Sequence, residues 1–367
     1  MPALRTEITE IVTGLGALGD DLDAVLTADA APDELRNVDE VTWARLRSAH
    51  LDGTHRADIL AAWNNGRALL RASDGLRNRR PAIVEWKGGH RDPGDESVPA
   101  DLRIDHVYLI SCKYLSKVLH NAAPAAVFDR LLAGGPTRRS DENWFDVVAA
   151  AEHQRLYQLV RRAHGPDLEL PDGVELPEQV RSLGGPHRDV LRRQLPRRWD
   201  RECAAAYQAL VDVTAERTAE RWRAAVAGGS GRDRSLLWRL LRLASAPYFV
   251  LGTGPRSSLR LRVDTPWDWN QAFELRRFDI EAQPGGQARV GWRARIRSRA
   301  DPGIDRGAAA PVVEGSNIDR RLLGAGEVEV AGHVEIRWSH GRFGGHPEAK
   351  VYLDTPHAQV PGYHPLV

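Results

Sequence analysis

Apolar residues recur at three- and four-residue spacing through much of the first 80 residues, most clearly in DELRNVDEVTWARLRSAHL and ADILAAWNNGRALLRA. This spacing places the apolar side chains on one face of a helix. Asp and Asn occupy positions where turns and helix caps are expected. The pattern predicts an N-terminal helical layer.

The period changes after residue 80. PAIVEWKGG and DLRIDHVYLISCKYL are rich in Val, Ile and Tyr, are bounded by Pro and Gly, and flank a polar loop, which predicts two strands. Helical spacing then returns, and short alternating segments follow Pro247. We therefore predict an α+β protein with a helical layer and small sheet in 1–135, a helical domain in 136–246 and a β-rich domain in 247–367.

One C-terminal segment, ARVGWRARIRS, alternates strictly between apolar residues and arginine. Val290, Trp292, Ala294 and Ile296 are predicted to point to one face of the strand, and Arg289, Arg293, Arg295 and Arg297 to the other. Arg260, Arg262 and Arg337 are expected in similar outward positions. Such a row either binds phosphates or forms a solvated face.

The charges balance almost completely, because 51 basic and 50 acidic residues give a net charge of +1. Any nucleic-acid site must therefore be a local patch. The apolar runs are short and the N-terminus lacks a signal pattern, so we predict no membrane contact and a cytoplasmic location. The two cysteines exclude a disulfide framework and a four-thiolate zinc site.

Lysine is rare in this sequence, where arginine supplies almost every positive charge. The four lysines are Lys87, Lys113, Lys117 and Lys350, and three of them lie within one short stretch. Lysine is a compact donor whose pKa responds to its surroundings, whereas guanidinium stays charged. The stretch is therefore the first place to look for chemistry.

Glu85 and Lys87 follow an apolar run, and on a strand they share one face. A metal-dependent phosphodiesterase needs carboxylates to hold Mg²⁺ or Mn²⁺ and a cation near the attacked phosphate. In an antiparallel hairpin Asp105 is expected opposite Glu85, so Glu85, Lys87 and Asp105 would form one cluster.

An apolar strand followed by Glu85-x-Lys87 resembles the signature of the PD-(D/E)xK nuclease superfamily, which has the restriction-endonuclease-like fold. In that family a further acid lies upstream on a neighbouring strand, and Asp74 stands upstream of Glu85 in this sequence. The resemblance therefore implies a metal site of Glu85, Asp74 and Asp105. The resemblance covers residues 60–130, and Ser73 stands where the family has Pro before this acid. It implies a Mg²⁺-dependent nuclease acting on DNA, plausible in restriction or phage defence, with a protein partner possible.

The second strand contains a rival motif, because Ser111-x-Lys113 looks like a variant of the same signature with Ser in the acidic position. In one straight strand Asp101, Asp105, Ser111 and Lys113 would share a face. Asp105 would then be about 26 Å from Lys113. The motif therefore needs a carboxylate from elsewhere.

A Gly-flanked C-terminal loop holds Trp338, His340 and Arg342, which suit contact with nucleic acid. With Arg260, Arg262, Arg293, Arg295 and Arg337 they form the predicted nucleic-acid-binding set. The same region has five histidines at spacings that match no zinc pattern.

Other interpretations remain open. The protein is alternatively a non-catalytic nucleic-acid-binding or protein-interaction subunit, or, less favoured, a glycosidase using Glu335 and Glu348. GLGALG at 14–19 satisfies a dinucleotide-binding pattern, but without a preceding strand we interpret it as a glycine-rich turn between helices.

Overall fold

The computed structural model describes residues 4–88, 100–114, 118–130, 142–170, 172–244, 246–253, 259–299 and 327–367. Its helices are α1 Leu4–Leu18, α2 Leu22–Thr27, α3 Glu40–Leu51, α4 Arg56–Arg71, α5 Trp144–Val148, α6 Ala150–His164, α7 Gly185–Gln194, α8 Arg201–Ala227, α9 Arg232–Leu240 and α10 Pro266–Ala272. Among these described helices, none is long and apolar enough to cross a membrane.

The strands are β1 Leu35–Arg36, β2 Val84–Trp86, β3 Leu102–Ile104, β4 Tyr108–Tyr114, β5 Val118–Ala122, β6 Tyr248–Thr253, β7 Leu259–Val263, β8 Phe273–Gln283, β9 Ala288–Ser298, β10 Glu327–Arg337, β11 Glu348–Leu353 and β12 Tyr363–Pro365. The protein therefore has the predicted α+β class, with a helical N-terminal part and a strand-rich C-terminal region.

In the described ranges the strands form two sheets. The mixed sheet has the order β1-β2-β3-β4-β6-β7-β12, and the antiparallel sheet has the order β5-β11-β10-β9-β8. β2, β3 and β4 are successive antiparallel neighbours, whereas β6 runs parallel to β4. Each sheet takes strands from both 1–135 and 247–367, so the predicted domain boundaries do not separate the sheets.

Helices α1 and α4 pack on each other and cover one face of the mixed sheet. Gly14 and Gly16 lie inside α1, so the prediction of a turn at these glycines was wrong; Gly19, with φ of +87°, follows the helix. Gly16 is needed because the backbones of α1 and α4 touch there, at Trp63 and Gly66, whereas Gly14 faces Val84 and Leu102 of the sheet. A Cβ on Gly66 of α4 would lie 2.0 Å from the carbonyl oxygen of Thr13 in α1.

The segment expected to form one strand from Asp101 to Tyr114 instead folds back on itself as β3 and β4. Asp105 and His106 have φ of +49° and +59°, and the N–H of Val107 donates to the carbonyl of Ile104 at 3.0 Å. The Asp105 carboxylate accepts from the backbone N–H groups of Ala82 and Ile83 at 2.8 and 3.1 Å. These hydrogen bonds stabilise the turn. Asp and His are also suited to its two positive-φ positions, because they tolerate the left-handed conformation better than most residues.

The alternation predicted for β9 is confirmed. Val290, Trp292, Ala294 and Ile296 are buried in the core that the antiparallel sheet forms with α8. The arginines between them point to the other face, where they are half-buried or exposed. A period of two therefore sets which face of this strand enters the core.

Candidate active site

Glu85 lies in β2 beside Arg103 of β3, not beside Asp105 as the sequence suggested. The register of β2 on β3 pairs Glu85 with Arg103, and Asp105 lies two residues further along, past the end of the paired segment at Ile104. Arg103 donates two hydrogen bonds to the Glu85 carboxylate, at 2.6 and 2.9 Å, and His106 Nδ1 lies 3.1 Å from it. The hydrogen bonds from Arg103 are the main reason that the pKa of Glu85 lies below its ordinary value.

The other two predicted metal ligands make separate contacts. Asp105 caps the start of β2, and Asp74 accepts from the backbone N–H of Val367 at 3.4 Å. Among the described residues, the carboxylates of Glu85, Asp74 and Asp105 do not form a group with the spacing of a shared metal ion. Their role in metal binding stays a prediction without support from this geometry.

Glu85→Gln is expected to destabilise the protein near neutral pH and to reduce its sensitivity to acid. The pKa of Glu85 is lowered in the folded state, so its ion pair with Arg103 contributes its full stabilisation of the fold when the pH is above the ordinary pKa of 4.5. This contribution is lost as the pH falls through the lowered pKa. A two-hydrogen-bond pair of this exposure is expected to contribute about 1 kcal/mol. Urea unfolding from neutral pH to about pH 3 measures the difference; equal pH slopes in both proteins would contradict it.

A second acid and lysine come together where β3 and β4 pair. The turn at Asp105 places Asp101 opposite Ser111, one residue beyond the paired Leu102 and Ile110. Asp101 Oδ2 accepts from the backbone N–H of Cys112 at 2.7 Å and from the Ser111 hydroxyl at 3.3 Å. Lys113 follows two residues later, so it lies on the same face of β4 as Ser111.

Lys87 and Glu10 approach the same end of the sheet. The backbone N–H of Lys87 donates to the carbonyl of Asp101 at 3.0 Å, and the Lys87 side chain is buried. Trp86 donates from its indole N–H to the carboxylate of Glu10 in α1 at 2.6 Å. We call Glu10, Lys87, Asp101, Ser111 and Lys113 the Asp101–Lys113 cluster.

The electrostatics of this cluster centre on Lys113. Burial lowers its pKa and nearby Arg242 lowers it further, whereas the charges of Asp101 and Glu10 act in the opposite direction. Arg242 is buried two residues after α9, with φ of +62°. Lys113 and Arg242 therefore lie near the carboxylates of Asp101 and Glu10, a mixture of charges that suits a cation together with a phosphate.

Asp101 has the chemistry to hold a divalent cation. Its Oδ2 atom accepts the hydrogen bonds from Cys112 and Ser111, and a carboxylate has a second oxygen that can bind a metal ion. Mg²⁺ commonly takes one or two protein carboxylates and completes its shell with waters and substrate phosphates. Ser111 is buried and hydrogen-bonded to Asp101 and Tyr248, which suits it to orient Asp101.

Sequence reasoning found part of this cluster. Ser111-x-Lys113 marked β4, and Asp101 was placed on the expected face, but the contact between Asp101 and Ser111 depends on the turn at Asp105. Glu10 and Arg242 were missed because each is one charged residue in an ordinary helical pattern.

The arginines predicted to bind nucleic acid have carboxylates or amides as neighbours. Arg293, Arg295 and Arg337 lie 2.8, 4.0 and 3.5 Å from Glu281, Glu329 and Glu335. Arg260 donates to Asn65 at 2.9 Å, and Arg262 lies 3.7 Å from Asp268. Arg260 and Arg262 belong to β7 of the mixed sheet, whereas Arg293, Arg295 and Arg337 belong to the antiparallel sheet. Binding of nucleic acid by these arginines stays a prediction.

The aromatic loop is also engaged within the protein. Trp338 packs on Phe145 and Phe343, with ring centroids 4.8 and 5.0 Å apart. The Arg342 guanidinium lies 3.7 Å above the ring of Trp199, and His340 lies 3.2 Å from Glu348. Contact of these residues with nucleic acid stays a prediction.

No protein-family model, curated protein or solved structure matches this chain. Functional inference therefore starts from the Asp101–Lys113 cluster itself.

Proposed function

We propose that this protein is a metal-dependent nuclease that hydrolyses phosphodiester bonds, with DNA as the expected substrate. The observation that supports it is the contact between β3 and β4, which sets Asp101 beside Ser111-x-Lys113. This arrangement is similar to the PD-(D/E)xK pattern, with an upstream acid on the neighbouring strand and Ser111 in the second acidic position. A role in restriction or phage defence is part of the proposal and rests on that resemblance.

Each charged side chain has a role in this proposal. Asp101 binds Mg²⁺ or Mn²⁺, which supplies Lewis-acid stabilisation of the phosphate and an activated water. Lys113 orients that water and stabilises negative charge on the scissile phosphate, a task suited to an ammonium in a partly desolvated position. Lys87 and Arg242 attract the phosphate, and Glu10 fixes the end of β2 through Trp86.

Purified protein is expected to cut DNA with Mg²⁺ or Mn²⁺ and to stop when EDTA is added, because Asp101 needs a cation to approach a phosphate. Gel assays with duplex DNA, single-stranded DNA and RNA identify the substrate. Cutting that persists in EDTA would contradict the metal requirement. Salt-sensitive binding without cutting would favour the non-catalytic alternative.

Asp101→Asn tests the position of the site. The amide keeps an acceptor for Cys112 N–H but loses the charge that holds the metal, so cleavage should fall by at least about 100-fold. Asp74→Asn is the comparison variant, since Asp74 lies outside the Asp101–Lys113 cluster and accepts the hydrogen bond from Val367 described above. Loss of cleavage in Asp74→Asn but not in Asp101→Asn would return the site to the sequence-predicted residues.

A further inference from the structure

Three side chains from the central helical region converge where α6 ends and α8 begins. His164 is the last residue of α6, Asp200 is the N-cap of α8, and Cys203 lies in the first turn of α8. One ligand atom from each residue lies within 4.8 Å of the other two. We propose that these residues bind Zn²⁺, a site independent of the nuclease proposal.

The start of α8 fixes two of the three ligands. Asp200 Oδ1 accepts from the N–H groups of Glu202 and Cys203, both at 2.8 Å. Both cap bonds use Oδ1, so Oδ2 is directed toward His164, 3.8 Å from its Nε2. Cys203 is the third residue of α8, a position whose side chain can reach back to the N-cap. Its thiol donates a hydrogen bond to the Asp200 carboxylate.

His164 provides an independent indication of a ligand. Its Nε2 atom is buried and has no hydrogen-bond partner among the described residues, and the 3.8 Å to Asp200 Oδ2 is too long for a hydrogen bond. A buried imidazole nitrogen without a partner costs free energy. A metal ion between Nε2, Oδ2 and Sγ would satisfy this nitrogen.

The donor set selects the metal. Zn²⁺ takes imidazole nitrogen, thiolate sulfur and carboxylate oxygen in tetrahedral geometry, with water able to fill the fourth position. On binding, the Cys203 S–H bond breaks, the proton passes to solvent and the S–Zn bond forms. Zn²⁺ with one thiolate and one carboxylate has no net charge, so the half-buried site holds no uncompensated ion. Mg²⁺ prefers oxygen ligands and should not compete.

The position of the site also favours a cation. The carbonyl groups at the end of α6 present the negative end of a helix dipole to His164, and the Asp200 carboxylate offsets the positive end of α8. Because α6 and α8 pack together in the central core, a metal that joins their ends should stabilise the folded protein.

The test uses the full-length protein freed of metal with a chelator, then titrated with Zn²⁺ alone, with Mg²⁺ alone, or with Co²⁺ as a spectroscopic substitute. We expect one tightly bound Zn²⁺ per chain, a higher Tm with Zn²⁺ than with Mg²⁺, and a thiolate-to-cobalt charge-transfer band. His164→Gln and Cys203→Ser should abolish the band and weaken Zn²⁺ binding at least about 10- to 100-fold, as loss of supporting partners does at other sites.

Cys112→Ser is the matched control, because Cys112 is the other buried cysteine and lies in β4. It should keep the charge-transfer band and the stoichiometry of one. His164→Gln changes a partly exposed side chain, so it keeps the test decisive if Cys203→Ser folds poorly. Absence of tight Zn²⁺ binding in the wild type, or tight binding unchanged in His164→Gln and Cys203→Ser, would overturn the proposal.

Discussion

Lys113→Met is expected to reduce DNA cleavage by at least about 100-fold without destabilising the fold near neutral pH. The loss follows from removing the ammonium that would face the attacking water and the phosphate. Stability should be equal to or above that of the wild type, since the surroundings of Lys113 disfavour its charge overall. Functional groups held in unfavourable surroundings commonly show this opposition between activity and stability.

The pH dependence of this effect has a defined sign. The pKa of Lys113 is lowered in the folded state from its ordinary value of 10.5, so the unfolded chain binds this proton more tightly. The charged lysine therefore opposes folding at pH values below both pKa values, and the opposition disappears as the pH rises through the ordinary value. Any stability gained by Lys113→Met should shrink in alkaline buffer.

Cleavage rates of the wild type and Lys113→Met measure the effect on activity. Urea unfolding of both proteins at neutral and alkaline pH measures the effect on stability. Lys350→Met is the control, because Lys350 lies in β11 of the antiparallel sheet, 3.8 Å from Glu348. Its cleavage rate should stay close to that of the wild type. A Lys113→Met protein that is stable and cuts DNA at the wild-type rate would remove Lys113 from the proposed mechanism.

Gly66→Ala is expected to lower the free energy of unfolding by about 2 kcal/mol or more. The added Cβ would meet backbone atoms, 2.0 Å from Thr13 O and 2.6 Å from Ala17 N, so α1 and α4 must move apart. Alanine gains about 1 kcal/mol in helix propensity, which is too little to offset the clash. Because Glu10 lies one turn before Thr13 in α1, a weaker contact with Trp86 should also reduce cleavage.

Thermal and urea unfolding test this contact. Gly185→Ala is the matched control, since a Cβ at this first residue of α7 would have no neighbour within 4 Å among the described atoms. It should leave stability unchanged or raise it by about 0.4–1 kcal/mol. A Gly66→Ala protein that unfolds like Gly185→Ala would show that the two helices separate at little cost.

Local sequence patterns were sufficient to predict the α+β class and to predict which side of some elements is buried. Helical spacing predicted α3 and α4, and strict alternation predicted the buried side of β9, because each depends on a repeat within one element. The prediction of a turn at GLGALG was wrong because its Gly16 serves a contact with another helix, which is not a repeat within one element. Glycines at a close contact between helices look like a turn until the crossing helix is known.

The candidate site shows the same division. The sequence by itself determined that the acids and lysines of one short stretch follow apolar strands, and that Ser111-x-Lys113 lies in a strand. Only the tertiary structure decided which acid meets which lysine. The turn at Asp105 and His106 sets the register of β3 on β4, which places Asp101 beside Ser111. The separate pairing of β2 with β3 places Arg103 beside Glu85. Pairing between strands is a non-local contact, and a change of register exchanges every partner along the strand.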